Sequence, residues 1–219
     1  MIHETVVTTL SPDGRVHIAP MGVQLAGRDV QLMPFKPSTT LNNVLATGCA
    51  VLNFTTDVRI FAGCVTGRRD WPTVAAQTMA GVRLADCLAH AEMRLSAHQD
   101  DPQRPVLHMK RVFEATHAGF SGFNRAQAAV IEAAVLVSRL GMLPVEKIAN
   151  EIAYLRIAID KTAGPQERLA WTWLMAAVEA AHPELAMESP PETSTAGGAT
   201  TGSQSLTAVR PTASEGASR

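Results

Sequence analysis

The chain has 219 residues, 46% of them hydrophobic and 18% charged, with 19 basic against 20 acidic side chains and a formal net charge of −1. That length suits one large domain, or one domain with a smaller appendage, and carries enough apolar residues for a real core. The near-neutral balance leaves no electrostatic footprint for nucleic acid and no polybasic membrane anchor, so a small ligand in a local pocket fits better.

Residues 2–10 and 15–25 are rich in Val, Ile and Thr and predict two strands, with the turn Ser11-Pro-Asp-Gly14 between them. A second turn at residues 26–29 leads to a strand over 30–34, giving an antiparallel meander. Residues 39–47 predict a short helix ending at Gly48, a natural C′ residue. Residues 49–54 read as an apolar strand and 57–65 as a helix, while 66–85 is ambiguous. Two longer strands near 86–98 and 105–117 follow, joined by a polar turn at 99–103. Five or six strands with helices in the connections fit a small closed barrel better than a βαβ array.

From Asn124 the hydrophobic period changes from two to 3.6. Ala126, Ala129, Ala133, Val137 and Leu140 form one stripe, ending at Gly141. Pro144 fits the first turn of a second helix, whose stripe is Ile148, Ile152, Leu155 and Ile159. Gly164-Pro165 starts a third helix, which ends before Pro183. Asn124 with Gln127 reads as a capping box, and Arg139 requires an acid partner or an interface, because an unpaired buried charge is too costly. The chain is therefore expected to be α+β: a barrel over 1–119, a three-helix appendage over 120–182, and a disordered tail over 183–219. The tail is rich in Ser, Thr, Gly, Ala and Pro and has too little apolar surface to offset its ordering entropy.

Met1-Ile-His-Glu4 lacks the basic and apolar regions of a secretory signal. The longest apolar tracts, 128–137 and 171–181, are interrupted by Glu132 and Glu179 and fall short of the roughly 20 residues of a membrane span. Three separated cysteines, Cys49, Cys64 and Cys87, form neither a disulfide framework nor a zinc knuckle. A soluble, cytoplasmic protein is expected.

The stretch from Met33-Pro-Phe-Lys36 through Pro37-Ser-Thr-Thr40 to Asn43 carries the chemistry. A helix opening on Ser and Thr offers unpaired N–H groups, hydroxyls and the positive end of a dipole, and Lys36 adds a charge. The alternative for Ser38 is a plain N-cap. Upstream, His17-Ile-Ala-Pro-Met-Gly22 supplies a turn at which Gly lets the main chain approach a ligand closely.

These two segments, with Glu4-Thr-Val-Val-Thr-Thr9, Asp13-Gly14, Val51-Leu-Asn-Phe54, Gly122-Phe-Asn-Arg-Ala126 and Ser138-Arg-Leu-Gly141, resemble domain-of-unknown-function family 447 among the FMN-binding split-barrel proteins. The resemblance spans roughly residues 1–182, and it is order and spacing that carry it. It implies a flavin-mononucleotide-binding split β-barrel with a helical C-terminal part, usually dimeric, of ill-defined reaction, with a weak link to pterin-type coenzyme metabolism.

FMN needs an anion site for its phosphate, donors toward its ring, and a flat surface. On this reading Lys36, Ser38, Thr39 and Thr40 hold the phosphate, and the backbone at Ala19, Pro20, Met21 and Gly22 meets the ring. Met21 and Phe35 flank it, and Asn43 and Asn53 add hydrogen bonds. Lys36 stands where many flavin barrels use Arg. For Asn53 the competing reading is a capping or ladder-edge role, and for Met21 and Phe35 it is plain core. Histidines 90, 98, 108 and 117 invite a metal site, but even spacing puts His90 and His98 on one face while His108 and His117 should point oppositely, and no HExxH pattern is present. A lone Cys64 in an apolar helix reads as core. Arg125 faces either the pocket or a partner subunit. Two functions follow: an FMN-dependent oxidoreductase of an unknown small molecule, or a non-catalytic flavin-binding or sensing protein whose helices serve a partner.

Overall fold

The computed structural model describes residues 1–188. Strands β1 (Ile2–Leu10), β2 (Val16–Ala26), β3 (Asp29–Leu32), β4 (Cys49–Phe54), β7 (Ala89–Gln99) and β8 (Val106–Thr116) close a barrel in the order β1-β2-β3-β8-β7-β4, with every neighbouring pair antiparallel. Helix α1 (Thr39–Thr47) enters between β3 and β4, and α2 (Arg59–Val65) follows β4. The ambiguous stretch forms a small hairpin of β5 (Thr73–Ala75) and β6 (Val82–Leu84). Its three-residue strands are too short to show a period. Helices α3 (Arg125–Val137), α4 (Val145–Thr162) and α5 (Pro165–Ala181) complete the fold, an α+β split barrel with a helical C-terminal part.

Strand alternation divides the apolar residues between two cores. The barrel interior holds Val7, Val23, Leu32, Leu52, Met93 and Leu107, and α1 adds Leu41 and Val44. The second core lies outside the barrel wall, where Val6 and Ile18 pack against Phe61 of α2 and the stripes of α3, α4 and α5. Each fully buried Val, Leu or Phe contributes about 1.5–3 kcal/mol. The helices thus grip the outside of the β1–β2 wall.

Local signals behave as their chemistry requires. Gly48 takes φ 69° and its N–H closes on the Val44 carbonyl. Asn124 caps α3 by accepting from the N–H groups of Ala126 and Gln127. The capping box is only half formed, because the Gln127 amide donates to Glu167 at 3.1 Å instead of returning to Asn124. Glu167 in turn accepts from the Gly164 N–H and so fastens α5 to α3. Of the stretch expected to be a disordered tail, residues 183–188 form a short 3₁₀ helix, Pro183–Glu188, and the remainder lies outside the described residues. No described helix is long and apolar enough to cross a membrane.

A cleft between barrel wall and helices

A cleft of about 690 Å³ lies where β2 meets α1, α2 and α3. That volume is within the usual range for small-molecule sites. One wall is β2 from His17 to Gly22, with Ile2 and Glu4 of β1 beside it. The segment from Met33 through the first turn of α1 forms one end, and the opposite wall is built by Phe61, Cys64, Val65 and Arg69 with Ile131, Ala134, Val135, Ser138 and Arg139.

The end wall is an open helix terminus. Ser38 has extended backbone (φ −146°) and its hydroxyl accepts from the Leu41 N–H at 3.2 Å, so the N-cap reading holds. The Asn42 N–H bonds the Ser38 carbonyl, which leaves the N–H groups of Thr39 and Thr40 at the start of the helix without helical acceptors. Thr40 is 1% exposed, lines the cleft, and makes no side-chain hydrogen bond among the described residues. Among the described residues the fully buried side-chain polar atom without a partner is Arg111 Nε, so the Thr40 hydroxyl is not sealed off and is free to meet a group in the cleft.

The long wall has an open backbone edge. β2 pairs with β1 along its whole length, but β3 joins it only from Val23 onward. Between Ala19 and Gly22, alternate backbone groups on that edge therefore have no strand partner, and they border the cleft. Pro20 supplies no N–H. A Cβ added to Gly22 would meet Ile2 Cγ2 at 2.9 Å and Glu4 Oε1 at 3.1 Å, so this position is tight as well as bare.

Three arginines that no motif singled out, or that were assigned elsewhere, complete the site. Arg104, from the β7–β8 turn, lies with its guanidinium 4.8 Å from the exposed Phe35 ring and donates to the Met33 carbonyl at 3.3 Å. Arg69 sits beyond α2 and donates to the Cys64 carbonyl. Arg139, beyond α3, is exposed rather than buried and makes no ion pair among the described residues, so of the two alternatives expected for it the acid partner is not found. Arg125 is exposed and does not line the cleft. Burial, and then the Arg69 charge, hold His17 below the usual imidazole range. Burial pushes the Cys64 thiol up to about 11, against a smaller opposing pull from Arg69, so it stays a thiol at neutral pH.

Of the residues expected at a flavin site, Ala19, Pro20, Met21, Gly22, Phe35, Ser38, Thr39 and Thr40 line this cleft together, and Lys36, Asn43 and Asn53 do not. Lys36 Nζ turns outward to Asp100. Asn43 is buried and donates to the Thr9 hydroxyl at 3.0 Å. Asn53 is fully buried; its amide donates to the Val6 carbonyl and Thr8 hydroxyl and accepts from the Leu84 N–H at 2.8 Å, joining β1, β4 and β6. Both asparagines serve the fold.

The histidines also depart from simple alternation. β7 has an irregularity between Leu95 and Ala97, which breaks the rule that even spacing shares a face. His90 is 1% exposed whereas His98 is at the surface near Asp100. His117, just past β8, stacks on His90 at 5.0 Å with Nε2 2.9 Å from His90 Nδ1. His90 Nε2 faces Glu92, whose carboxylate accepts from Thr78 and the Gln77 N–H. Burial pushes Glu92 upward, but those hydrogen bonds outweigh it and leave the acid below the ordinary carboxylate range. Among the described residues, no group of three or more His, Cys, Asp or Glu is arranged to hold a metal ion.

Two family models match the chain: "Protein of unknown function (DUF447) N-terminal domain" over residues 3–118, and "Protein of unknown function (DUF447)" over 124–176. The chain belongs to the DUF447 family. An FMN-bound DUF447 protein from Methanosarcina mazei has a similar structure, with TM-score 0.70 and 21% identity over 80% of this chain and 94% of that one. The 2-nitrobenzoate 2-nitroreductase of Pseudomonas fluorescens gives 0.47 and 20% over 52% of this chain and 64% of that one. Flavoredoxin from Methanosarcina acetivorans gives 0.45 and 11% over 53% and 69%. No curated protein matches the chain. The DUF447 barrel and its helical part are thus the shared scaffold on which this cleft is built.

Proposed function

We propose that this DUF447 protein holds FMN in the cleft and uses it as an oxidoreductase toward a small molecule. The observation that carries the reading is the first turn of α1, which lines the cleft with two N–H groups that have no helical acceptor and with a Thr40 hydroxyl that makes no hydrogen bond within the protein yet is not sealed in the core. That donor set suits a phosphate, which the helix dipole also favours. The Arg104 guanidinium next to Phe35 adds charge at the same end, where Lys36 was expected to serve. The open β2 edge at Ala19–Gly22 offers main-chain groups to a planar heterocycle, and Met21, Phe35 and Phe61 offer it apolar surface. That a DUF447 protein of similar structure is FMN-bound supports FMN as the ligand. FMN, when bound, supplies hydride and electron transfer; this chain's residues bind, orient and shield it.

On the same reading the protein is a cytoplasmic homodimer. Its three cysteines are free and buried, which suits a reducing compartment. Phe123 is fully exposed and Phe120 56% exposed, the two rings meeting edge to face at 5.2 Å on the loop before α3. Such a pair is a candidate for burial against a second copy.

The test is the visible absorption spectrum of purified protein, followed by anaerobic addition of NADH or NADPH. A bound yellow chromophore that bleaches supports the oxidoreductase. One that binds and never bleaches with any donor favours the holding or sensing alternative. Failure to bind FMN overturns the proposal.

A further inference from the structure

We propose that the helical wall of the cleft is a second anion subsite, in which the guanidinium groups of Arg69 and Arg139 hold a phosphate or carboxylate of the second reactant. This rests on the FMN reading, because it assigns the cofactor phosphate to the α1 end and so leaves the far wall to something else.

Three observations carry it. First, the charge in the cleft is lopsided: Arg69, Arg104 and Arg139 line it against one carboxylate, Glu4. Neither Arg69 nor Arg139 has a carboxylate within 4 Å among the described residues, so neither charge is already neutralised by a neighbour. Second, the cations are segregated. Arg104 belongs to the α1 end, through Phe35 and Met33, while Arg69 and Arg139 come from the ends of two different helices on the other side. A residue just past a helix C-terminus is a natural place for a cation. That accounts for their positions along the chain, but not for both lining the same cleft. Third, Arg69 spends only its Nε, on the Cys64 carbonyl, so its two terminal nitrogens keep the planar fork that matches phosphate and carboxylate. His17 lies close enough to Arg69 to feel its charge, and it adds a ring N–H to the same region.

A neutral or cationic co-substrate would gain nothing from this wall. An anionic one would be drawn to it and held over the face of the cleft that α2 and α3 enclose. Phosphate-bearing reactants, such as nicotinamide dinucleotides, and carboxylate-bearing ones share the required chemistry.

The test uses calorimetric titration of the FMN-loaded full chain with pyrophosphate and, separately, with succinate, on wild type, Arg69→Gln and Arg139→Gln. FMN affinity is measured in parallel by flavin fluorescence quenching. Saturable binding of either probe is expected, weakened about tenfold or more by each substitution, with FMN affinity changed less than about threefold. Binding of pyrophosphate alone assigns a phosphate-bearing reactant, and of succinate alone a carboxylate-bearing one. No saturable binding to wild type, or binding to both variants as tight as to wild type, overturns the subsite. So does a tenfold loss of FMN affinity in either variant, since the arginines would then belong to the cofactor phosphate. Should the wild-type chain not bind FMN, the proposed function fails by itself, and the same titrations on the FMN-free chain still decide the subsite. Both side chains are exposed, and thermal melts of the variants confirm that the fold is kept.

Discussion

Replacing Thr40 by Val separates a ligand-binding hydroxyl from a structural one. Val keeps the branched shape at a site that is 1% exposed, so packing against β1 and β4 is nearly preserved. The hydroxyl makes no hydrogen bond within the protein among the described residues and is not sealed in the core, so removing it takes no bond from the fold. FMN-free Thr40→Val should therefore melt at the same temperature as wild type or higher. A hydrogen bond to a charged phosphate is worth about 1.5–3 kcal/mol, so FMN affinity should fall roughly ten- to a hundredfold. Ser38→Ala is the control. Its hydroxyl already caps the Leu41 N–H, so its loss should lower the FMN-free stability by about 1 kcal/mol. Urea melts of both apo-variants, with fluorescence titration of FMN, give the two numbers. A Thr40→Val protein that is destabilised by more than 1 kcal/mol and binds FMN like wild type would show that the hydroxyl serves the fold, and the phosphate assignment would fall.

Other outcomes follow from the same geometry. Lys36→Ala should change FMN affinity less than about threefold, because its ammonium is engaged with Asp100 away from the cleft; a tenfold loss in titration would contradict that. Asn53→Ala should lower stability by about 2–5 kcal/mol by orphaning the Val6 carbonyl and Leu84 N–H, as read by urea melts, while folded protein still binds FMN. His17 and His117 are both held below the ordinary imidazole value of 6.5 in the folded chain: for each, burial is the larger cause, followed by the charges of Arg69 and Arg83 respectively. The unfolded chain then takes up protons first as pH drops below 6.5, so stability should fall in that window, and a His17→Asn, His117→Asn double variant should fall less. Glu92, held below the ordinary glutamate value of 4.5 by the Thr78 and Gln77 hydrogen bonds despite burial, adds stability that is lost only further down, as pH falls below 4.5 toward its folded value; a Glu92→Gln melt series should lack that second drop.

The barrel strands, α1 with its two caps, and the three punctuated helices were legible because each signal is local. Ser38, Gly48, Asn124 and Pro165 act on neighbours within four residues. That Ala19–Gly22 and Ser38–Thr40 would share one cleft was legible for the same reason, since both are short contiguous runs. What failed was whatever depended on a partner far along the chain. Lys36 lies next to the helix terminus in sequence, yet its side chain is claimed by Asp100 from the β7–β8 turn. Asn53 read as a ligand donor because nothing near it reveals that β1 and β6 surround its amide. Arg69 and Arg104 lie in a weakly patterned segment and a polar turn, and only tertiary folding delivers them to the cleft. His90 and His98 were misplaced by a bulge that no residue type announces.

The division of the apolar residues into two cores has a consequence for how this scaffold changes over time. One surface of the cleft is made by β2 and α1, which rest on the barrel interior that Leu41 and Val44 of α1 help to fill, and the surface opposite it is made by α2 and α3. Mutations that reshape the second surface need not disturb the first. Lineages built on this plan can therefore reshape the α2–α3 side of the cleft by drift while the β2–α1 side stays as it is.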